Sequence, residues 1–102
     1  MYVILTSKPG QFRTEITADL KPVERYDYLF CGRKRAEFVI AEMEEGARVR
    51  IVDESGPVNI VPSKFLPRFG SLDEARAELK QLVSFGSIDI ELVKLRPEAM
   101  PP

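Results

Sequence analysis

Between Arg25 and Glu42 the chain alternates through two strand-like runs that meet at a basic turn, with Tyr26, Tyr28 and Phe30 at every second position. Successive side chains of a strand point to opposite faces. This stretch therefore allows a sheet with apolar groups on both faces, of which only one need be core.

The pattern continues. Tyr26–Cys31, 36–43, 47–53 and 57–61 read as four short strands. Their breaks are 32–35, 44–46 and 54–56, each with a glycine. Close spacing, glycine at the breaks and β-branched content predict an antiparallel meander. Even-length loops would set Leu29 against Phe38, Cys31 against Ala36, Ile40 against Val49, and Phe38 against Ile51. They would also pair Ile51 with Val58 and Val49 with Ile60, so that every opposed pair is apolar. This register predicts an inward face of Leu29, Cys31, Ala36, Phe38, Ile40, Val49, Ile51, Val58 and Ile60. A one-residue slip in any hairpin would break the agreement.

At the N-terminus, 2–7 reads as a strand and 12–17 as its partner. Between them, Lys8, Pro9, Gly10 and Gln11 suit a type II turn. Residues 18–25, with Pro22, read as a loop. The segment 62–70 combines prolines with Phe65, Leu66 and Phe69, either to plug the core or to form a surface patch. Ser71 and Glu74 form a capping-box pattern ahead of a helix whose apolar stripe is Leu72, Ala75, Leu79, Leu82 and Val83. The helix is expected to end near Phe85 with Gly86 as its cap, and a last strand to run over 88–92. The predicted fold is α+β: six or seven short antiparallel strands in a meander, closing partly into a barrel if one helix stripe cannot cover two faces, with one C-terminal helix packed on them. Residues 1–96 read as one domain, and the Pro-rich 97–102 as a disordered tail.

Composition narrows the chemistry. The 102 residues include no His and one Cys, Cys31. The commonest general base is absent, and one chain cannot form a disulfide or a cysteine zinc site. A lone thiol, expected to be a small buried hydrophobe beside Ala36, suits a reducing cytoplasm. The apolar run at 2–5 is too short for a signal peptide or a membrane span. Lys and Arg number 15 against 16 Asp and Glu. That balance offers no global attraction to nucleic acid or to an anionic membrane. No phosphate loop, catalytic triad or cation-loop spacing is present, so no enzyme activity, metal or cofactor is expected.

What remains is a surface. The same register predicts an outer face with Tyr28, Val39, Arg50 and Asn59 in one row, and Tyr26, Ala41, Arg48 and Val61 in the next. Phe30 lies beside them. Aromatic rings next to Arg suit a protein contact, or base stacking by single-stranded nucleic acid. The bland reading has the helix or the N-terminal hairpin covering these tyrosines. Arg33, Lys34 and Arg35 form a basic turn suited to a phosphate or an acidic partner; in a meander, Asp53 and Glu54 would lie at the same end and neutralise it. The expectation is a small non-enzymatic accessory or protein-interaction domain, with single-stranded nucleic-acid binding as the alternative. Exposed edge strands would also permit a homodimer.

Overall fold

A computed structural model of the chain describes residues 1–83 and 90–95. Among the described residues, seven strands and one α-helix follow in the order β1 (Tyr2–Ser7), β2 (Phe12–Glu15), β3 (Leu20–Phe30), β4 (Arg33–Met43), β5 (Arg48–Asp53), β6 (Val58–Pro62), α1 (Leu72–Val83) and β7 (Ile90–Leu95). All strand pairings are antiparallel, in two sheets rather than a closed barrel. A large sheet has the order β1-β4-β3-β7 and a small one the order β2-β5-β6. The α+β class holds, with α1 near the C-terminus.

The large sheet is covered on both faces. On one, Ile40 packs with Ala75 and Leu79 of the helix, among Tyr2, Ile4, Tyr26, Phe38, Phe69, Leu72 and Leu92. On the other, Val3, Leu5, Leu20, Ala41 and Met43 meet Ala47 and Val49 of the small-sheet segment. β4 explains this directly, because Phe38 and Ile40 have one parity, Val39 and Ala41 the other, and all four are apolar. The strand can therefore face a helix and a sheet at once.

Several expected pairings are not the ones formed. β4 does not pair with β5, so Ile40 does not face Val49, nor Phe38 Ile51; the 44–46 connection crosses from one sheet to the other. β1 pairs along its length with β4; it meets β2 through the Lys8–Phe12 bridge and through Thr14, whose N–H donates to Ser7 Oγ (2.9 Å) and whose hydroxyl donates to the Thr6 carbonyl (2.5 Å). In the β3–β4 hairpin, Tyr26 faces Phe38 and Tyr28 faces Ala36, which puts the tyrosines on the helix side. Two features cause the change. The turn is a two-residue one at Cys31 and Gly32, both at positive φ (51° and 76°), as a type I′ turn requires. A bulge at Arg35 then shifts the pairing by one residue. Cys31 is thus at the exposed tip and not inward beside Ala36.

The β5–β6 hairpin slips by one residue as well. Asp53 N–H donates to the Pro57 carbonyl (2.8 Å), closing an odd, three-residue loop. Val49 then faces Val61, Arg50 faces Ile60 and Val52 faces Val58. Val58 and Ile60 consequently lie on the outer face, not in the core.

Residues 18–25 are not wholly a loop, because β3 begins at Leu20 and runs through Pro22. β7 pairs only from Arg25 onward, so Pro22 sits where β3 is still an edge and its missing N–H is tolerated. The type II turn forms, with Gly10 at φ 80° and Gln11 N–H donating to the Lys8 carbonyl (3.0 Å). The Ser71 cap forms too, with Glu74 N–H donating to Ser71 Oγ (3.2 Å), while the Glu74 carboxylate reaches back one residue further than a capping box and accepts from Gly70 N–H (3.0 Å). Ala75, Leu79 and Val83 of the stripe are buried, but Leu82 is half exposed. The predicted helix end at 85–86, the first residues of the last strand at 88–89 and the tail at 97–102 lie outside the described residues.

Candidate functional site

The residues expected to form one Tyr/Arg surface are divided between the two sheets. Tyr26 and Tyr28 face the helix side of the large sheet. Tyr28 stacks edge-on against Phe38, ring centroids 6.1 Å apart. Phe30 lies at the exposed end of β3. Arg48 and Arg50 are exposed on the outer face of the small sheet, and Asn59 opposes Ile51 in β6. The row of Tyr28, Val39, Arg50 and Asn59 therefore does not exist, and neither does the row of Tyr26, Ala41, Arg48 and Val61.

Of the basic turn, Lys34 is paired, though not with Asp53 or Glu54, which belong to the small-sheet hairpin. Lys34 pairs with Glu37, and with Asp27 at 3.3 Å, while Arg25 reaches Glu37 at 2.8 Å. Burial disfavours charge at Lys34 and Glu37, but the pairing overrides it, raising the Lys34 ammonium and lowering the Glu37 carboxyl from their ordinary values. Arg33 and Arg35 remain exposed beside the turn.

One constellation escaped the sequence. Glu24 is only 4% exposed. Arg76 of the helix grips its carboxylate at 2.6 and 2.8 Å, Lys94 of β7 reaches it at 2.7 Å, and the Tyr26 hydroxyl donates to it at 2.9 Å. The Arg76 hydrogen bonds hold the carboxyl down to about 2 against the opposing effect of burial, with Lys94 and Tyr26 acting in the same direction as Arg76. Burial and the Glu24 acceptor push the Tyr26 phenol up. A second bulge, at Val23, turns Glu24 toward the helix, since without it the residue would share the Leu20 face. The network ties β3, β7 and α1 together. A carboxylate so enclosed and so acidic holds elements in place and is not poised for proton transfer near neutrality. The available sequence signal was Arg76 itself, four residues after Leu72 and three before Leu79, on the flank of the apolar stripe.

The clefts among the described residues include one of about 350 Å³, bordered by Asp19, Lys21, Glu42 and Glu44. A small apolar one of about 130 Å³ lies between β1 and the helix, lined by Ile4, Thr6, Pro67, Phe69, Glu78 and Leu82. A larger one of about 380 Å³ is bordered by Met1, Met43, Glu44, Glu45, Ser63 and Arg68. Among the described residues, no three acidic or cysteine side chains gather as metal ligands, and no helix is long and apolar enough to cross a membrane.

The outer face of the small sheet is the most distinctive surface. Ile60 is 53% exposed and Val58 44%. Ile60 stands directly across from Arg50 and Val58 across from Val52, with Arg48 two residues along β5 from Arg50. Arg50 lies 3.5 Å from Glu15 of β2. Past the end of β6, Phe65 is 70% exposed, and the Lys64 ammonium lies 5.2 Å from its ring centroid. Sequence reasoning chose Arg48 and Arg50 but assigned Val58 and Ile60 to the core. In comparisons with known proteins the chain matches no family model, no curated protein and no solved structure.

Proposed function

We propose that this chain is a small, non-enzymatic protein-interaction domain whose contact surface is the outer face of the small sheet, around Arg48, Arg50, Val58 and Ile60. The observation that carries the reading is the pair Val58 and Ile60. The domain buries apolar groups on both faces of its large sheet, yet leaves two β-branched residues side by side in water next to arginines. Exposed aliphatic residues bordered by Arg have the composition of a protein contact. The single-stranded nucleic-acid reading relied on tyrosines beside Arg50, and Tyr26 is instead engaged with Glu24 under the helix. The single Cys, exposed at a hairpin tip, favours a reducing, cytoplasmic setting.

The test compares immobilised wild type with the double variant Arg48→Glu/Ile60→Glu in capture from cells of origin, alongside titration of labelled single-stranded oligonucleotide at low and physiological salt. The expected result is a protein retained at defined stoichiometry by wild type and lost by the variant, with no steeply salt-dependent oligonucleotide binding. Identical retention by both proteins, or oligonucleotide binding alone, refutes the reading.

A further inference from the structure

The geometry of β6 points to its partner, an inference that rests on the contact surface proposed above. We propose that β6 pairs antiparallel with the β6 of a second copy, joining two small sheets into one continuous six-stranded sheet.

The backbone supplies the first argument. Asp53 N–H donates to Pro57 C=O, and Ser63 N–H to Ala47 C=O. Residues 57, 59, 61 and 63 therefore direct their backbone groups at β5. By alternation, the N–H and C=O of Val58 and Ile60 point away from it. Among the described residues no strand pairs with that edge. Pro62 ends the run, since it offers a carbonyl but no N–H.

A two-fold axis at Asn59 satisfies the Val58 and Ile60 backbone on this edge. Val58 then opposes Ile60 of the other copy, Ile60 opposes Val58, and the four N–H groups of these residues in the two copies find their four carbonyls. On the outer face the same register sets Val58 beside Ile60 twice, covering both exposed aliphatic residues. Asn59 meets Asn59 on the inner face. Shifting the centre to Ile60 sets Val58 opposite Pro62, which has no N–H for the Val58 carbonyl; shifting it to Val58 calls on Gly56, whose N–H already donates to Asp53 C=O.

Charge does not oppose the pairing. From Pro57 to Pro62 there is no charged residue. The two β5 strands, with Arg48 and Arg50, would stand about 14 Å apart, three strand spacings, which exceeds the screening length of about 8 Å at physiological salt. The other edges are protected in the ways edges usually are. β1 is held at one end by the reciprocal Tyr2–Phe69 hydrogen bonds (2.8 Å each) and at the other by the Lys8–Phe12 hairpin, and β7 carries the exposed Lys94. Among the described residues, β6 combines an open backbone edge with uncharged, exposed side chains. The contact is small, so the dimer is expected to form reversibly with concentration.

The experiment is sedimentation equilibrium across the micromolar range on wild type, Val58→Pro and Ile60→Glu, with amide exchange of wild type at low and high concentration. Val58→Pro removes an N–H that points away from β5, and Ile60→Glu sets a carboxylate opposite Arg50, so both leave the β5–β6 ladder intact; thermal melts check this. The expected result is a monomer–dimer equilibrium for wild type, weakened about tenfold or more in both variants. Exchange at the Val58 and Ile60 amides is expected to slow as wild type concentrates. A wild type that stays monomeric, variants that dimerise equally, or protection elsewhere overturns the proposal. If wild type stays monomeric yet captures a different protein that Arg48→Glu/Ile60→Glu loses, the second copy is wrong and the interaction reading stands. If neither occurs, both fail.

Discussion

Replacing Glu24 by Gln should destabilise the fold near neutrality and much less in acid. The carboxyl goes from about 4.5 in the unfolded chain to about 2 in the fold. At about 1.4 kcal/mol per pH unit, that difference is worth about 3 kcal/mol. The sign follows from the direction: a depressed carboxyl stabilises the fold above its unfolded value, and the contribution fades as pH falls from about 5 through 2. By pH 3 it should be down to about 1 kcal/mol. Gln keeps the shape but removes the charge. Arg76 and Lys94 have side chains 40% and 56% exposed and can turn to water, so no buried cation is stranded to inflate the loss. Urea unfolding followed by circular dichroism at pH 7 and pH 3 gives the gap between wild type and variant at each pH. Other carboxylates titrate alike in both proteins, so the narrowing isolates Glu24. An equal gap at both pH values, or one under about 0.5 kcal/mol at pH 7, would refute the reasoning.

Leu79→Ala should cost about 2–5 kcal/mol in the same unfolding assay, because Leu79 is packed against Ile40 and Ala75 with almost no exposure. A loss below about 1 kcal/mol would mean the helix does not seal that face. Ser71→Ala removes the acceptor for Glu74 N–H and should cost about 1 kcal/mol, read as a shift in urea midpoint with unchanged slope.

Local signals in the chain proved legible where they carried their own geometry. Pro9 and Gly10 specify a turn by φ preference, Ser71 and Glu74 specify a helix start by hydrogen bonding, and the Ala75–Leu79–Val83 spacing specifies a helix face. Register was less legible. Phe38 and Ile40 alternate with Val39 and Ala41, so β4 satisfies an apolar test in either parity. The bulges at Val23 and Arg35 and the odd loop at 54–56 each shift pairing by one residue, and each shift exchanges the faces. The candidate surface inherits that ambiguity. Tyr26 and Tyr28 moved to the helix side of the large sheet, Val58 and Ile60 moved out, and Arg48 and Arg50 stayed exposed. Glu24 was hidden because its role depends on Arg76 and Lys94, 52 and 70 residues away in the sequence.

The most direct test is the β5–β6 register, since it alone decides whether Val58 and Ile60 face outward. Residues 50 and 60, and 52 and 58, form non-hydrogen-bonded antiparallel pairs, where opposed Hα atoms come closest. Strong Hα–Hα nuclear Overhauser contacts between Arg50 and Ile60 and between Val52 and Val58 are the expected result. Contacts between Val49 and Ile60 and between Ile51 and Val58 would return both aliphatic residues to the core and contradict the proposed surface.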